Sequence, residues 1–332
     1  MRRGNFAALF ALFALFLMAA SLVSLGMGAM DLSPAEIFDA LFSKNAPPEA
    51  EAAVWQIRLP RLAAGIVAGS SLAVAGCAMQ TLFMNPLADP SVTGVSSGAA
   101  LGGALSVCAF SLGGIYIQIF AAAFGFLAAF FIWRAGRLAA GQNTYAMLLA
   151  GIAVNAFCAA MIGFFMYASK EEGLRGFLFW SLGSLEIAGW GAIGFAALLE
   201  AAALAVLARY SKALNLLFLG EEGAFYSGAN LELLRTLAMA CAALLTASAV
   251  SICGIVGFVG LVVPHIIRRF SGADNRVLMP LSALGGAALI TVCDIFSRAV
   301  CPEQNIPIGI MAALVGAPFF LALVVSKTRI TL

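Results

Sequence analysis

The chain is 332 residues long, 63% hydrophobic and only 10% charged, with a formal net charge of +2 and a mean hydropathy of +1.02. That composition excludes a soluble domain, and the scattered basic residues leave no nucleic-acid footprint. Its apolar stretches reach the roughly 20 residues of a bilayer-spanning helix and lack the short alternating segments of a membrane barrel, so the expected class is an all-α polytopic membrane protein.

In chain order, Arg2-Arg3 precedes an apolar run to Leu25. The run is longer than the usual apolar core of a signal peptide, which predicts a retained first span. Apolar runs between polar breaks then predict about ten spans, near 6–29, 62–83, 94–111, 114–133, 145–168, 189–208, 236–253, 256–267, 277–297 and 306–325. The 256–267 segment is too short to cross unaided and reads as a partial or tilted helix. Only Gly113-Gly114 separates the third span from the fourth. Six of the 7 cysteines fall inside apolar runs and only Cys301 sits in a loop, which is the pattern of small buried hydrophobes and not of a disulfide framework. With the N-terminus inside, twelve of the 18 basic residues fall on the cytoplasmic side, so both termini are expected there.

The most informative stretch is 58–99, RLPRLAAGIVAGSSLAVAGCAMQTLFMNPLADPSVTGVSSGA. Small residues four apart (Gly65 and Gly69), with Gly76 seven further on, let helix backbones approach closely, and Pro86 and Pro90 end the helix. The segment leaves its apolar phase at Gln80, breaks at Asn85-Pro86 and Asp89-Pro90, and resumes at Gly94. This order of R-x-P-R start, G-x-x-x-Q turn, N-P-L-A-x-P stop and G-x-x-x-G-A restart resembles the FecCD family, the permease subunits of ABC importers for iron-siderophores, haem and cobalamin. A second string, Gly254 to Arg268, resembles the family's G-x-x-G-F-x-G-L-x-x-P-H-x-x-R signature through Gly257, Gly260, Pro264, His265 and Arg268. Its expected role is architectural. His265 is the only histidine, and a lone histidine is more often structural than catalytic.

The resemblance implies a single transmembrane permease domain, 1–332, of type II ABC importer architecture, with roles for particular residues. Arg58, Arg61 and Arg298 match the set that docks glutamates of a periplasmic or lipoprotein substrate-binding protein; taken alone, each could equally anchor a helix end by snorkelling. The loop 209–235 matches the coupling element that docks on the ATPase, through Gly220, Glu221, Glu222, Ala224 and Gly228, with Ser227 where leucine is usual. On composition alone it is a solvated loop with a short amphipathic turn. Asn143, Thr144 and Tyr145 resemble a cytoplasmic gate ahead of L-L-A-G, although Asn143 or Thr144 would also serve as a helix N-cap. Pro307 and Gly309 match P-I-G, with Asn305 replacing a frequent glutamate that nearby Glu303 could compensate. Trp180 to Ser184 match W-x-x-G-S, read physically as an interfacial aromatic before a tight turn.

The sequence has no G-x-x-x-x-G-K-[ST] loop, no zinc or catalytic-triad constellation, and calls for no cofactor or metal. An enzyme is therefore not expected. The resemblance implies a homodimer in a bacterial or archaeal inner membrane, two ATPase subunits inside, a binding protein outside, and a channel lined by the fifth and tenth spans. The alternative is an ion-coupled secondary transporter, which would need ionisable groups buried in spans. Only Glu200 and Asp294 qualify. Asp294 has Arg298 at i+4, whereas Glu200 has no role readable from sequence.

Overall fold

A computed structural model describes residues 3–28, 30–43, 46–138, 144–186, 188–301 and 305–328. Among the described residues every regular element is helical: α1 (Arg3–Gly26), α2 (Pro34–Phe42), α3 (Pro48–Ala52), α4 (Leu59–Leu82), α5 (Val95–Ala104), α6 (Ile115–Leu138), α7 (Thr144–Ala168), α8 (Glu171–Ser181), α9 (Trp190–Leu214), α10 (Gly220–Tyr226), α11 (Leu231–Cys253), α12 (Val259–Ser271), α13 (Asn275–Val300) and α14 (Ile308–Thr328). Seven of these runs are long and apolar enough to cross a membrane, and Val95–Ala109 and Ile308–Ala322 are shorter apolar helices. The remaining short segment, α12, has 13 residues and spans about 20 Å, well under a hydrocarbon core of about 30 Å. It is the partial helix expected near 256–267.

Helix α4 is the centre of the bundle and packs against α9, α11, α12 and α13. It can do so because its contact faces are nearly bare backbone. A methyl group at Gly76 would overlap the Gly260 carbonyl of α12, and one at Gly69 would overlap the Gly286 carbonyl of α13. Between helices in lipid there is no hydrophobic drive to associate, so such backbone-to-backbone seams supply the van der Waals contact. At the periphery, α1 and α7 have only 6% and 11% of their apolar windows buried within the chain.

The structure departs from the sequence reading in three places. The second span does not start at residue 62: a π-helical turn, Ala53–Arg58, joins α3 to α4 in one helical run, Pro48–Leu82. Two helices fall in segments read as loops, α2 and α8. The first is closed by a capping box in which Ser33 and Glu36 exchange hydrogen bonds of 2.8 and 3.3 Å. Trp180 is not interfacial. It is 4% exposed, and its ring fills the space over Gly103. Cys301 is exposed, as expected.

Candidate functional site

One end of the bundle gathers the C-terminal end of α1, the start of α4 and the end of α13. Asp294 of α13, 1% exposed, sits between two guanidinium groups, with Arg61 Nε at 2.7 Å and Arg298 Nη2 at 2.8 Å. The i,i+4 pair expected from sequence is therefore present, with Arg61 added from α4. Arg61 Nη1 also reaches Glu186 Oε1 at 2.8 Å, and Asn305 Nδ2 donates to that same oxygen at 2.8 Å. Asn305 has φ 46°, a left-handed conformation that asparagine tolerates better than most side chains; Glu303 lies outside the described residues. Arg58, 5% exposed, donates to the carbonyls of Leu25 (2.6 Å), Gly26 (3.2 Å) and Met30 (2.5 Å). Arg298 donates to Ser24 and Met27. All three arginines line one cavity of about 810 Å³ together with Asp31, Glu186 and Asn305. They are thus brought to one cavity but packed inward: Arg61 and Arg298 pair with this chain's own carboxylates, and Arg58 is held by backbone carbonyls.

Beneath this cavity three signature strings meet through their backbones. Ile308 N–H and Gly309 N–H donate to the carbonyls of Gly183 and Leu182, each at 3.0 Å, and Ser184 N–H donates to Cys253 at 2.9 Å. Pro307-Ile308-Gly309, the W-x-x-G-S element and the end of α11 therefore form one junction. In α12 the second signature closes on the first. Gln80, fully buried, donates to the carbonyls of Gly260 (3.3 Å) and Leu261 (3.4 Å) and accepts from Arg268 Nη2 at 3.0 Å. His265 packs edge-on against Phe319 of α14. Pro264 is buried inside α12, and Gly257 lies in the turn that enters it. The polar break is an Asx turn: Asn85 Oδ1 accepts from Leu87 N–H at 2.9 Å, Pro86 lies within it, and Pro90 opens a 3₁₀ turn, Pro90–Thr93.

At the opposite end, the loop expected at 209–235 contains a short helix, α10. Gly220 (φ 80°) and Gly228 (φ 77°) frame it in a backbone region that L side chains avoid. Ala224 is fully buried, whereas Leu219, Phe225 and Tyr226 are 59%, 69% and 85% exposed. Glu221 and Glu222 occupy its first turn. Phe225 and Tyr226 on this short helix, with Leu219 at the end of the preceding run, form an exposed apolar surface suited to a partner.

Of the gate residues, Asn143 lies outside the described residues, Thr144 opens α7, and Tyr145 is 77% exposed. Glu200 finds its explanation in the structure: it is buried in α9 and accepts a hydrogen bond from Ser70 of α4, pinning the two helices. Neither carboxylate required by the ion-coupled alternative is therefore without a structural partner. Among the described residues no group of three metal-ligating side chains occurs.

Among the described residues, seven membrane-length helices and the shorter α5, α12 and α14, with an arginine-lined cavity at one end and a short exposed helix at the other, define a polytopic membrane protein. The chain matches the FecCD transport family over residues 15–326. It is 40% identical over 319 residues to the hemin transport system permease protein HmuU of Yersinia pestis, covering 94% of each chain. It is 40% identical over 277 residues to the cobalamin import system permease protein BtuC of Halobacterium salinarum, covering 83% of this chain and 74% of that one. A solved structure described as a metal-chelate type ABC transporter in an inward-facing conformation superposes with a TM-score of 0.84 at 30% identity, covering 96% of this chain and 99% of that one. The chain belongs to the FecCD transport family and is a membrane-embedded permease subunit of an ABC importer, which sets aside the ion-coupled alternative.

Proposed function

We propose that the protein works as a homodimer in the inner membrane with both termini in the cytoplasm, bound by two ATPase subunits and fed from outside by a periplasmic or lipoprotein binding protein. The cargo is a pre-formed metal chelate: an iron-siderophore, haem or cobalamin. This rests on the hemin and cobalamin permeases among its relatives. ATP hydrolysis belongs to the partner subunits, and this chain supplies a path and two docking surfaces. The observation that carries the reading is the placement of the arginine-lined cavity and the exposed α10 at opposite ends of one bundle. The uncovered faces of α7 and α14, which include Leu149, Tyr167 and Leu314, supply the apolar surface of the dimer.

Docking at the outer cavity is an exchange of carboxylates. Arg61 holds Glu186, whose side chain is 49% exposed, so an incoming glutamate displaces a group that water can reach while Asp294 stays in place. The test is ATPase activity in proteoliposomes containing this chain, its ATPase and candidate binding proteins loaded with hemin, cobalamin or a ferric siderophore. Stimulation should vanish with Glu221→Arg or Phe225→Ala, weaken with Arg61→Gln and strengthen with Glu186→Gln. Uptake that follows a proton or sodium gradient with no ATPase associated would overturn the reading. Stimulation unchanged by Glu186→Gln and Arg61→Gln would overturn the exchange.

A further inference from the structure

A second large cavity lies on the flank of the bundle, between α1, α9 and α13, at the end that carries α10. It measures about 790 Å³. Its walls are apolar, formed by Phe10, Leu204, Leu207, Met279 and Leu284, and its mouth is basic, with Arg209 and Lys212 from the end of α9 and Arg276 from the start of α13. Arg276 is committed to Asp274, with Nη2 at 2.6 Å from Oδ2. Arg209 and Lys212 form no ion pair among the described residues, and the Arg209 guanidinium lies 5.7 Å from the centroid of the Tyr210 ring. With Asp274 counted against the three cations, the mouth carries two uncompensated positive charges. Asn275, fully buried, also lines the cavity, and its Nδ2 has no acceptor.

We propose that this groove binds one anionic phospholipid, with an acyl chain along the apolar wall and the headgroup phosphate at Arg209 and Lys212. The occupant follows from position and charge. The groove opens beside α1, whose apolar window is 6% buried, and so faces the bilayer rather than water. From Leu204 to Lys212 the α9 axis rises about 12 Å, so the greasy wall runs inward from the cations by about the length of the upper acyl segment. Basic pockets between helices at the cytoplasmic boundary suit anionic headgroups, and each cation there strengthens binding about fivefold. The cytoplasmic placement of the mouth, and with it the leaflet that supplies the lipid, rests on the orientation proposed above; the groove and its two cations do not.

The test titrates the full-length protein, purified as it assembles, with phosphatidylglycerol, phosphatidylcholine or inorganic phosphate, and reads retained adducts by native mass spectrometry. Phosphatidylglycerol should bind about 25-fold more tightly than phosphatidylcholine, the effect of two cations at about fivefold each. Arg209→Gln/Lys212→Gln should abolish that preference and Arg209→Lys/Lys212→Arg should keep it. Leu204→Trp, which fills the groove and leaves the charges, should remove the adduct. Thermal unfolding confirms that each variant is folded. Equal retention of the two lipids would overturn the site, and so would a preference that survives the glutamine pair. A preference untouched by Leu204→Trp would show a diffuse charged annulus and overturn it too, as would displacement by equimolar inorganic phosphate. ATPase activity is recorded in parallel, so failure of the importer reading and failure of the lipid site are read separately.

Discussion

Asp294→Asn removes the one carboxylate that compensates two buried guanidinium groups. Breaking a buried ion pair by deleting one partner costs about 3–5 kcal/mol, because it strands uncompensated charge. The lower end applies here, since Arg61 keeps Glu186 and Arg298 keeps the carbonyls of Ser24 and Met27. At about 2 °C per kcal/mol for a chain of this size, Tm should fall by about 6 °C or more. The assay is thermal unfolding in detergent or nanodiscs, with Arg175→Gln as the control. Arg175 pairs with Glu171 at 70% and 75% exposure, and such a surface pair contributes less than about 1 kcal/mol. If Asp294→Asn unfolded with the wild type while uptake collapsed, Asp294 would be a transport group and the structural account would be refuted.

Gly76→Val should lower Tm strongly, because the α4–α12 seam has no room for a side chain, whereas Gly194→Ala in α9, which meets nothing within 4 Å, should be neutral or stabilising by up to about 1 kcal/mol. Both are read by the same unfolding assay. Glu200→Gln keeps a partner for Ser70 and should leave uptake and Tm near wild type; a proton-coupled role would instead abolish uptake. Asp274, held down to about 2 chiefly by its hydrogen bonds to Arg276, contributes stability that is complete above its unfolded value of about 4 and is lost as pH falls through about 2. The Tm gap between wild type and Asp274→Ser should accordingly close between pH 4 and pH 2.

The spans were legible because lipid imposes a length and a polarity that hydropathy reads directly. The helices outside the spans were harder. The signal for α2 lay in Ser33-Pro34-Ala35-Glu36, a capping box with proline at the first helical position, but nine residues make too short a helix for hydropathy to register. The turn between Trp180 and Ser184 was visible as glycine and serine after an aromatic. Nothing local announced that Trp180 would point into a pocket left by Gly103, because that pocket is made by a helix 77 positions away in the chain. Spacing likewise shows that Gly69 and Gly76 share a face, but only tertiary structure assigns one to α13 and the other to α12.

The arginines mark the sharper boundary between what sequence and structure each disclose. Sequence placed Arg58, Arg61 and Arg298 at one end and suggested an electrostatic role, and the structure brings them to one cavity. It also shows a balance that counting basic residues could not reveal: Asp31, Glu186 and Asp294 sit beside them, so among the described residues the charges of the cavity cancel. A neutral cavity does not attract a partner by long-range steering, and recognition there depends on short-range exchange of hydrogen-bond partners. Of its carboxylates, Asp294 is buried between two cations and cannot leave without the cost worked out above. Glu186 is half exposed, shares Arg61 with Asp294 and accepts on the same oxygen from a neutral amide, Asn305. The energetic asymmetry between these two acids, one fixed and one displaceable, makes Arg61 the residue at which an outside carboxylate can gain entry.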